Sequence, residues 1–303
     1  MTKKNIANRN VSLDFPAFLL NGPVMKIMTS CFIILFSGMI FCNTAYCAQP
    51  ARIVSLAPSI TEILYDLGLG VRIVAVTDFC DYPEEAKSKP KIGGYANPSL
   101  EAIIAVKPDL VILAEDGNPL DIGAKLRKLK INTYVFRARR LRELPQGIRD
   151  LGNALGIENR ADRRASEIET QLNYYAGKFQ SSASRHLRRK ALFIIHPEPL
   201  LVAGHNTVID DALTLLGLQN IAADAGAPYA KYTLEEVIRR TPDIIFFGQG
   251  PMSRNLSKAL LRRLQSLEAV QKGHVYYTSE LLYRLTPRTI QGIEEIARHL
   301  NKP

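Results

Sequence analysis

Residues 99–113, SLEAIIAVKPDLVIL, are echoed later in the chain by residues 233–247, TLEEVIRRTPDIIFF. Leu, Glu, Ile, Pro and Asp coincide at Leu100/Leu234, Glu101/Glu235, Ile104/Ile238, Pro108/Pro242 and Asp109/Asp243, and most other positions are similar. The physical sense of the unit is local. Ser99 and Thr233 are helix-capping residues, and each glutamate falls in the first turn, where the helix dipole favours negative charge. Proline-aspartate then ends the helix ahead of an apolar run that reads as a buried strand. A helix-then-strand unit used twice predicts two related α/β lobes. If an approximate two-fold relates them, each lobe presents one carboxylate at an equivalent place, suited to cationic groups on a two-fold symmetric partner. Read without that symmetry, Glu101 and Glu235 are simply good residues for starting a helix.

Working outward, RIVSL at 52–56 and VRIVAVT at 71–77 read as strands around a helix, with Ser59–Glu62 as its capping box and Gly68 as its stop. DLVIL at 109–113 and INTYVF at 131–136 follow, separated by a helical stretch from Pro119 to Lys130. This alternation implies parallel α/β layers. From Arg160 to Phe179 the pattern changes. Ile168, Leu172, Tyr175 and Phe179 form one apolar stripe of a long helix with no strand until KALFII at 190–195. A second alternating set then runs to the end: LLVAG at 200–204, a helix near 207–216, DIIFF at 243–247, HVYYT at 274–278 and a terminal helix from Pro287. The expected architecture is therefore α/β, with two lobes built on parallel central sheets, one long backbone helix joining them, and a ligand cleft between. The divisions are a leader at 1–48, an N-terminal lobe at 49–158, the connecting helix at 159–184 and a C-terminal lobe at 185–303.

The leader differs from the rest. Lys3, Lys4 and Arg9 precede Met25-Lys26, an apolar run from Cys31 to Cys42, and small residues at Thr44, Ala45 and Ala48. That order is the one of a secretory signal, and the run is short for a bilayer span. Export to the periplasm is expected, with Met25 an alternative start and Cys47 an alternative point of lipid attachment, against which bulky Tyr46 argues. Three of the four cysteines lie in the leader, so the exported part relies on its core rather than on disulfides. The chain carries a net charge of +10. Its cations are scattered along helices, and no aromatic-interleaved basic motif points to nucleic acid.

The stretches RIVSLAPSITEILYDLG, DYP at 81–83, GGYANPSLEAIIAVKPDLVIL, PYAKYTLEEVI and SELLYRLTPR together resemble the helical-backbone class of periplasmic binding proteins, and within it the cobalamin and iron-siderophore branch. They run from Arg52 to Arg288. The resemblance implies a monomeric, non-enzymatic carrier that binds ligand between its lobes with little hinge closure. It implies delivery to an ABC permease dimer with its ATPase, docking through one glutamate per lobe, and these fall on Glu101 and Glu235. Carried over residue by residue, the ligand-contacting positions are Tyr82 of DYP, Tyr95 and Tyr229 before the two docking helices, Leu201, and Glu280 and Arg284 in the C-terminal lobe. Such a set suits a broad ligand fringed with amides: aromatic faces for area, a guanidinium fork and a carboxylate for the polar edge. No separate cofactor is implied. The ligand itself is a cobalt corrinoid or an iron chelate. The chain departs from the cobalamin members in having no tryptophan, where they use it at two cleft positions, and in Glu280, where they have a shorter aspartate. Ferric siderophores and haem therefore stay open.

Other chemistries find less support. His186, His196, His205, His274 and His299 are scattered, with no His-rich loop, so no metal site is expected. Cys80 reads as a small buried thiol rather than a ligand. No G-x-S-x-G elbow or phosphate-binding glycine loop is present, and GLGVRI at 68–73 comes in helix-then-strand order, the reverse of a dinucleotide fingerprint. Nothing assembles a nucleophile, a base and an orienting group.

Overall fold

The structure is a computed structural model, and it describes residues 49–183, 189–248 and 253–300. The leader, including Cys47 and the signal, lies outside the described residues, as does His186. Residues 49–303 form one compact unit.

The N-terminal lobe is a four-stranded parallel sheet in the order β2-β1-β5-β6: β1 (Ile53–Ser55), β2 (Ile73–Val76), β5 (Leu110–Ala114) and β6 (Asn132–Phe136). The short strands β3 (Gly93–Gly94) and β4 (Asn97–Pro98) make a separate antiparallel ribbon. Helices α1 (Pro58–Asp66), α2 (Glu84–Lys87), α3 (Leu100–Ala105), α4 (Ile122–Lys128) and α5 (Leu144–Leu155) connect the strands. Helix α6 (Glu158–Ala183) is the long connector, burying Ala161, Ala165, Ile168 and Leu172.

The C-terminal lobe repeats the theme with β7 (Lys190–Pro197), β11 (Ile244–Gly248) and β12 (Val275–Thr278) side by side and parallel. Strand β9 (Gln219–Asn220) pairs parallel with the start of β7. The remaining edge departs from the expected pattern. Strand β8 (Leu200–Ala203) turns straight back on β7 as an antiparallel hairpin, and β10 (Tyr229–Lys231) adds antiparallel to β8. Only two residues separate β7 from β8, too few for the crossover a parallel partner would need. Helices α7 (Val208–Leu215), α8 (Leu234–Arg240), α9 (Ser253–Arg263), α10 (Glu268–Gln271) and α11 (Thr289–Leu300) complete the lobe.

The internal echo is geometric as well as textual. Ser99 and Thr233 each accept a hydrogen bond from the backbone N–H three residues on, at 3.2 Å in both helices. Lys107 and Thr241, at equivalent positions, both end their helices in the left-handed region with φ of 46°. The carboxylates of Asp109 and Asp243 then accept backbone N–H groups at the start of the neighbouring strand, from Ala51 and Arg52 in one lobe and Lys190 in the other. Along the strands, Leu110/Ile244 and Ile112/Phe246 face one continuous core that includes α6, while Val111/Ile245 and Leu113/Phe247 face a separate outer core in each lobe. Strands buried on both faces read as unbroken apolar runs. That is why DLVIL and DIIFF carry no alternation.

Candidate functional site

Helix α1 begins differently from its sequence reading. Ala57 is the N-cap, Pro58 opens the helix, and no side chain caps it. Ser59 therefore falls inside the first turn, and Glu62, released from any capping role, is a carboxylate only 5 % exposed. It points across to the other lobe.

Between the lobes lies a cavity of about 400 Å³, within the usual size of small-molecule sites. Tyr95, Phe79 and Asp116 line it from the N-terminal lobe and Tyr229, Tyr283 and Arg284 from the C-terminal lobe. Tyr95 is seated from beneath. Its ring lies so close to Gly117 that a Cβ there would come within 2.2 Å of it, and Gly117 has a φ of +93°. Buried Asn118 donates to the Tyr95 carbonyl at 2.7 Å and to that of Leu56 at 2.9 Å, while accepting from the Ala114 N–H. Tyr229 is carried at the start of β10, opposite Ala203 of β8, so the antiparallel edge of the sheet is what brings it to the cleft. Tyr283 packs over Gly248, where any side chain would collide with its hydroxyl, and donates to the Ile195 carbonyl. Burial raises the Tyr229 phenol above its ordinary value, with Asp116 and Tyr95 adding to the shift. Burial likewise raises Tyr283.

A second cavity, of about 420 Å³, adjoins the first and shares Tyr283 and Arg284 with it as a common wall. Tyr82, Asp81, Glu280 and Arg288 line this second space. The Arg288 guanidinium lies 3.5 Å from the centre of the Tyr82 ring, a close cation–π contact. Arg284 spans the lobes. It donates to Glu62 at 3.1 Å and to Asp81 at 2.6 Å and 3.3 Å. Burial works against its charge, but these two carboxylates outweigh that and raise its pKa, and the Arg284 hydrogen bond holds Asp81 below the ordinary carboxylate range. Elsewhere between the lobes, Arg140 chelates Asp211 and reaches Asn206, while the Leu141 N–H also donates to Asp211.

Five of the six residues expected at the ligand site thus line the two adjoining cavities: Tyr95, Tyr229 and Arg284 in the first, Tyr82, Glu280 and again Arg284 in the second. Leu201 does not join them. It sits half-buried in β8, registered against His196 and Lys231. Nor are Glu280 and Arg284 a helical ion pair, because the helical turn there ends at Leu282 and Arg284 turns to the N-terminal lobe. Phe79, Gly117, Asn118, Arg139 and Tyr283 belong to the site or its support without having been singled out. Only Tyr283 carried a signal, as the tyrosine beside Arg284. Cys80 is buried, with Thr61 and Thr77 hydroxyls each 3.1 Å from its sulfur. No cluster of metal-ligating side chains occurs among the described residues.

Phe79, Tyr82, Tyr95 and Tyr229 are each between 41% and 59% exposed, so four of the large exposed apolar side chains gather at this junction. Concentration of that kind marks a binding surface rather than scattered surface apolarity. Glu101 and Glu235 lie outside the cavities, exposed, in the first turns of α3 and α8. Ser99 donates to Glu101 at 3.2 Å. Backbone and Thr233 hydrogen bonds hold Glu235 below its ordinary value.

Two α/β lobes on a spanning helix, with a cleft lined from both, define a binding protein of the bilobal kind. The chain belongs to the periplasmic binding protein family, which matches residues 53–281. It is 30% identical over 263 residues to the vitamin B12-binding protein of Vibrio campbellii (strain ATCC BAA-1116), covering 86% of this chain and 94% of that one. The crystal structure of the periplasmic vitamin B12 binding protein BtuF of Vibrio cholerae superposes with a TM-score of 0.73 at 28% identity, covering 83% of this chain and 97% of that one. The periplasmic heme-binding protein RhuT from Roseiflexus sp. RS-1, in its apo form, gives a TM-score of 0.68 at 29% identity, covering 82% and 97%. No helix among the described residues is long and apolar enough to cross a membrane.

Proposed function

We propose that the chain is the exported, non-enzymatic binding component of an ABC importer, which captures a corrinoid between its lobes and hands it to a permease dimer. The observation that carries this reading is the convergence of Tyr95 and Tyr229, one from each lobe, on a cavity that Arg284 also lines. Phenol rings give rigid contact area at low entropic cost, and the guanidinium donates to amide carbonyls at the ligand's edge. The relatives named for vitamin B12 support the choice of ligand. Glu101 and Glu235 supply the docking charges, since both are exposed, equivalent in the repeat and fixed at a helix N-terminus.

A second reading is favoured by one feature. Three phenols, Tyr95, Tyr229 and Tyr283, share the first cavity with two guanidiniums, Arg139 and Arg284. Phenolate oxygen ligates ferric iron and guanidinium pairs with carboxylates, which is what haem or a ferric chelate requires. The test is to recover the protein from the periplasm, incubate it with cyanocobalamin or haemin, remove free ligand by gel filtration and record the visible spectrum. Corrinoid absorbance at about one per chain establishes the first reading. Haem absorbance alone, lost in Tyr95→Phe, replaces it with the second. A colourless folded protein rejects both ligands.

A further inference from the structure

Glu62 is the most thoroughly buried carboxylate at the junction, and the docking and ligand roles described so far make no use of it. It belongs to α1 of the N-terminal lobe, yet both of its ion-pair partners come from the other lobe: Arg284 at 3.1 Å and Arg288 at 3.4 Å. Arg284 has a second carboxylate partner, Asp81, at 2.6 Å. The two carboxylates differ in one decisive respect. The Glu62 side chain is 5% exposed, whereas that of Asp81 is 59% exposed. Removing one partner from a buried pair strands a charge away from water, while an exposed pair exchanges readily with solvent or with a competing acceptor. Asp81 also lines the second cavity, of which Arg284 is a wall shared with the first.

We infer that Glu62 is the positioning residue of the cleft: it anchors Arg284 and Arg288 across the lobe boundary, and Asp81 is the exchangeable partner that a ligand's carboxylate or amide carbonyl displaces from Arg284. The inference rests on the reading that the cleft holds the ligand. On binding, Arg284 keeps its bond to Glu62 and trades Asp81 for the ligand acceptor, so the wall common to the two cavities becomes part of the ligand's own contact. Arg288 stays stacked on Tyr82, which Glu62 thereby helps to place. The two carboxylates then act in opposite directions on affinity. Glu62 orients the donor, and Asp81 competes for it.

Opposite signs separate this arrangement from a purely structural salt bridge, in which both substitutions would weaken the protein alike. Glu62→Gln is expected to weaken cyanocobalamin binding about tenfold or more, because Arg284 loses its anchor. Asp81→Asn is expected to tighten binding by about threefold, because an exposed competitor is removed. Arg288→Gln, which leaves Glu62 one partner, serves if Glu62→Gln fails to fold, with a smaller weakening expected. Unchanged affinity in Glu62→Gln, or weakening in Asp81→Asn, overturns the inference. If the wild-type protein takes up neither cyanocobalamin nor haemin, the ligand reading has failed separately, and small-angle scattering of the unliganded protein decides. A larger radius of gyration in Glu62→Gln but not in Asp81→Asn supports the anchor, and equal radii sink it.

Discussion

Helices α3 and α8 do the same job in the two lobes with different chemistry. Both are capped by a hydroxyl, both carry an exposed glutamate in the first turn, and both end in the left-handed region before Pro-Asp. Their remaining positions diverge. Where α3 has Ala102, Ala105 and Val106, α8 has Glu236, Arg239 and Arg240. Val106 packs against the outer core of its lobe, whereas Arg240 is a hub. It pairs with Glu236 and Asp224, donates to the Ile221 carbonyl and lies over the Tyr232 ring. The positions that place the first-turn carboxylate and turn the chain into the strand coincide, and the positions that fasten the helix differ. A repeat preserves the geometry of its shared unit while each lobe solves its own packing.

The sharpest way to break this comparison is through transport. Reversing both carboxylates, Glu101→Arg with Glu235→Arg, is expected to lower uptake at least about a hundredfold while leaving ligand affinity unchanged, since under the proposed docking each glutamate makes one or more charge-assisted contacts with the permease. Unaltered uptake by the double variant would dispose of the docking role. The single variants sharpen the point. Arg263 adds positive potential near Glu235, and Arg239 and Arg240 lie on the same helix, while α3 carries no arginine. Glu101→Arg is therefore expected to cost more uptake than Glu235→Arg, by roughly threefold to tenfold. Equal losses would mean that the partner reads position alone.

The next comparison is of fastenings. Arg240→Ala and Val106→Ala, at equivalent positions, should destabilise by similar amounts, about 1–2 kcal/mol for the partly exposed ion network and about 1 kcal/mol for the half-buried valine. They should respond differently to salt. Urea unfolding at low ionic strength and in about 1 M NaCl is expected to shrink the Arg240→Ala penalty by half or more and leave that of Val106→Ala in place. A salt-independent Arg240→Ala penalty would assign its role to packing on Tyr232 instead.

What could be read from the sequence divides along the same line. The repeat, its caps and its buried strands were legible because their causes are local: a hydroxyl three residues from the N–H it accepts, a proline after a helix, an apolar run. The long connector was legible for the same reason, its stripe being spaced at helical intervals. The antiparallel turn of β8 onto β7 was not legible, because an apolar run states that a strand is buried, not which way it runs. Glu62 was misjudged most instructively. Its spacing from Ser59 imitates a capping box, but the N-cap is Ala57 and Pro58 starts the helix two residues earlier than that box requires. The groups that claim its carboxylate are 222 and 226 positions away. No local rule reaches that far. Leu201, taken from the resemblance alone, lines neither cavity, and no local pattern in β8 could have told which cleft residues its strand edge presents.

The lobe junction offers a smaller effect, set by pH. Arg284 holds Asp81 below its ordinary range, so the favourable contribution is present above the unfolded value of about 4 and is lost as pH falls through the lower folded value. Between about pH 5 and 8 the bridge contributes fully, and unfolding midpoints of the wild type and Asp81→Asn should differ by a constant amount there, converging below about pH 4. Because Asp81 is largely exposed, the difference is expected to be small. A difference that instead grew on acidification would contradict the pairing.

The smallest effect belongs to the feature the lobes share most closely. Ser99 and Thr233 each accept one N–H at 3.2 Å, and replacing either with alanine removes that acceptor and leaves one first-turn donor to water. Each change is expected to cost about 1 kcal/mol, measured by urea unfolding, and the two costs should agree within about 0.5 kcal/mol. Agreement would mean that the capped first turn is energetically as well as geometrically repeated, so that each glutamate is presented on a support of equal strength. A much larger cost at Ser99 would mean that its hydrogen bond to Glu101 is stronger than the corresponding bond from Thr233 to Glu235. The two first-turn carboxylates would then be held with different firmness, and the difference in uptake between the single charge reversals would have a structural cause besides the arginines of α8.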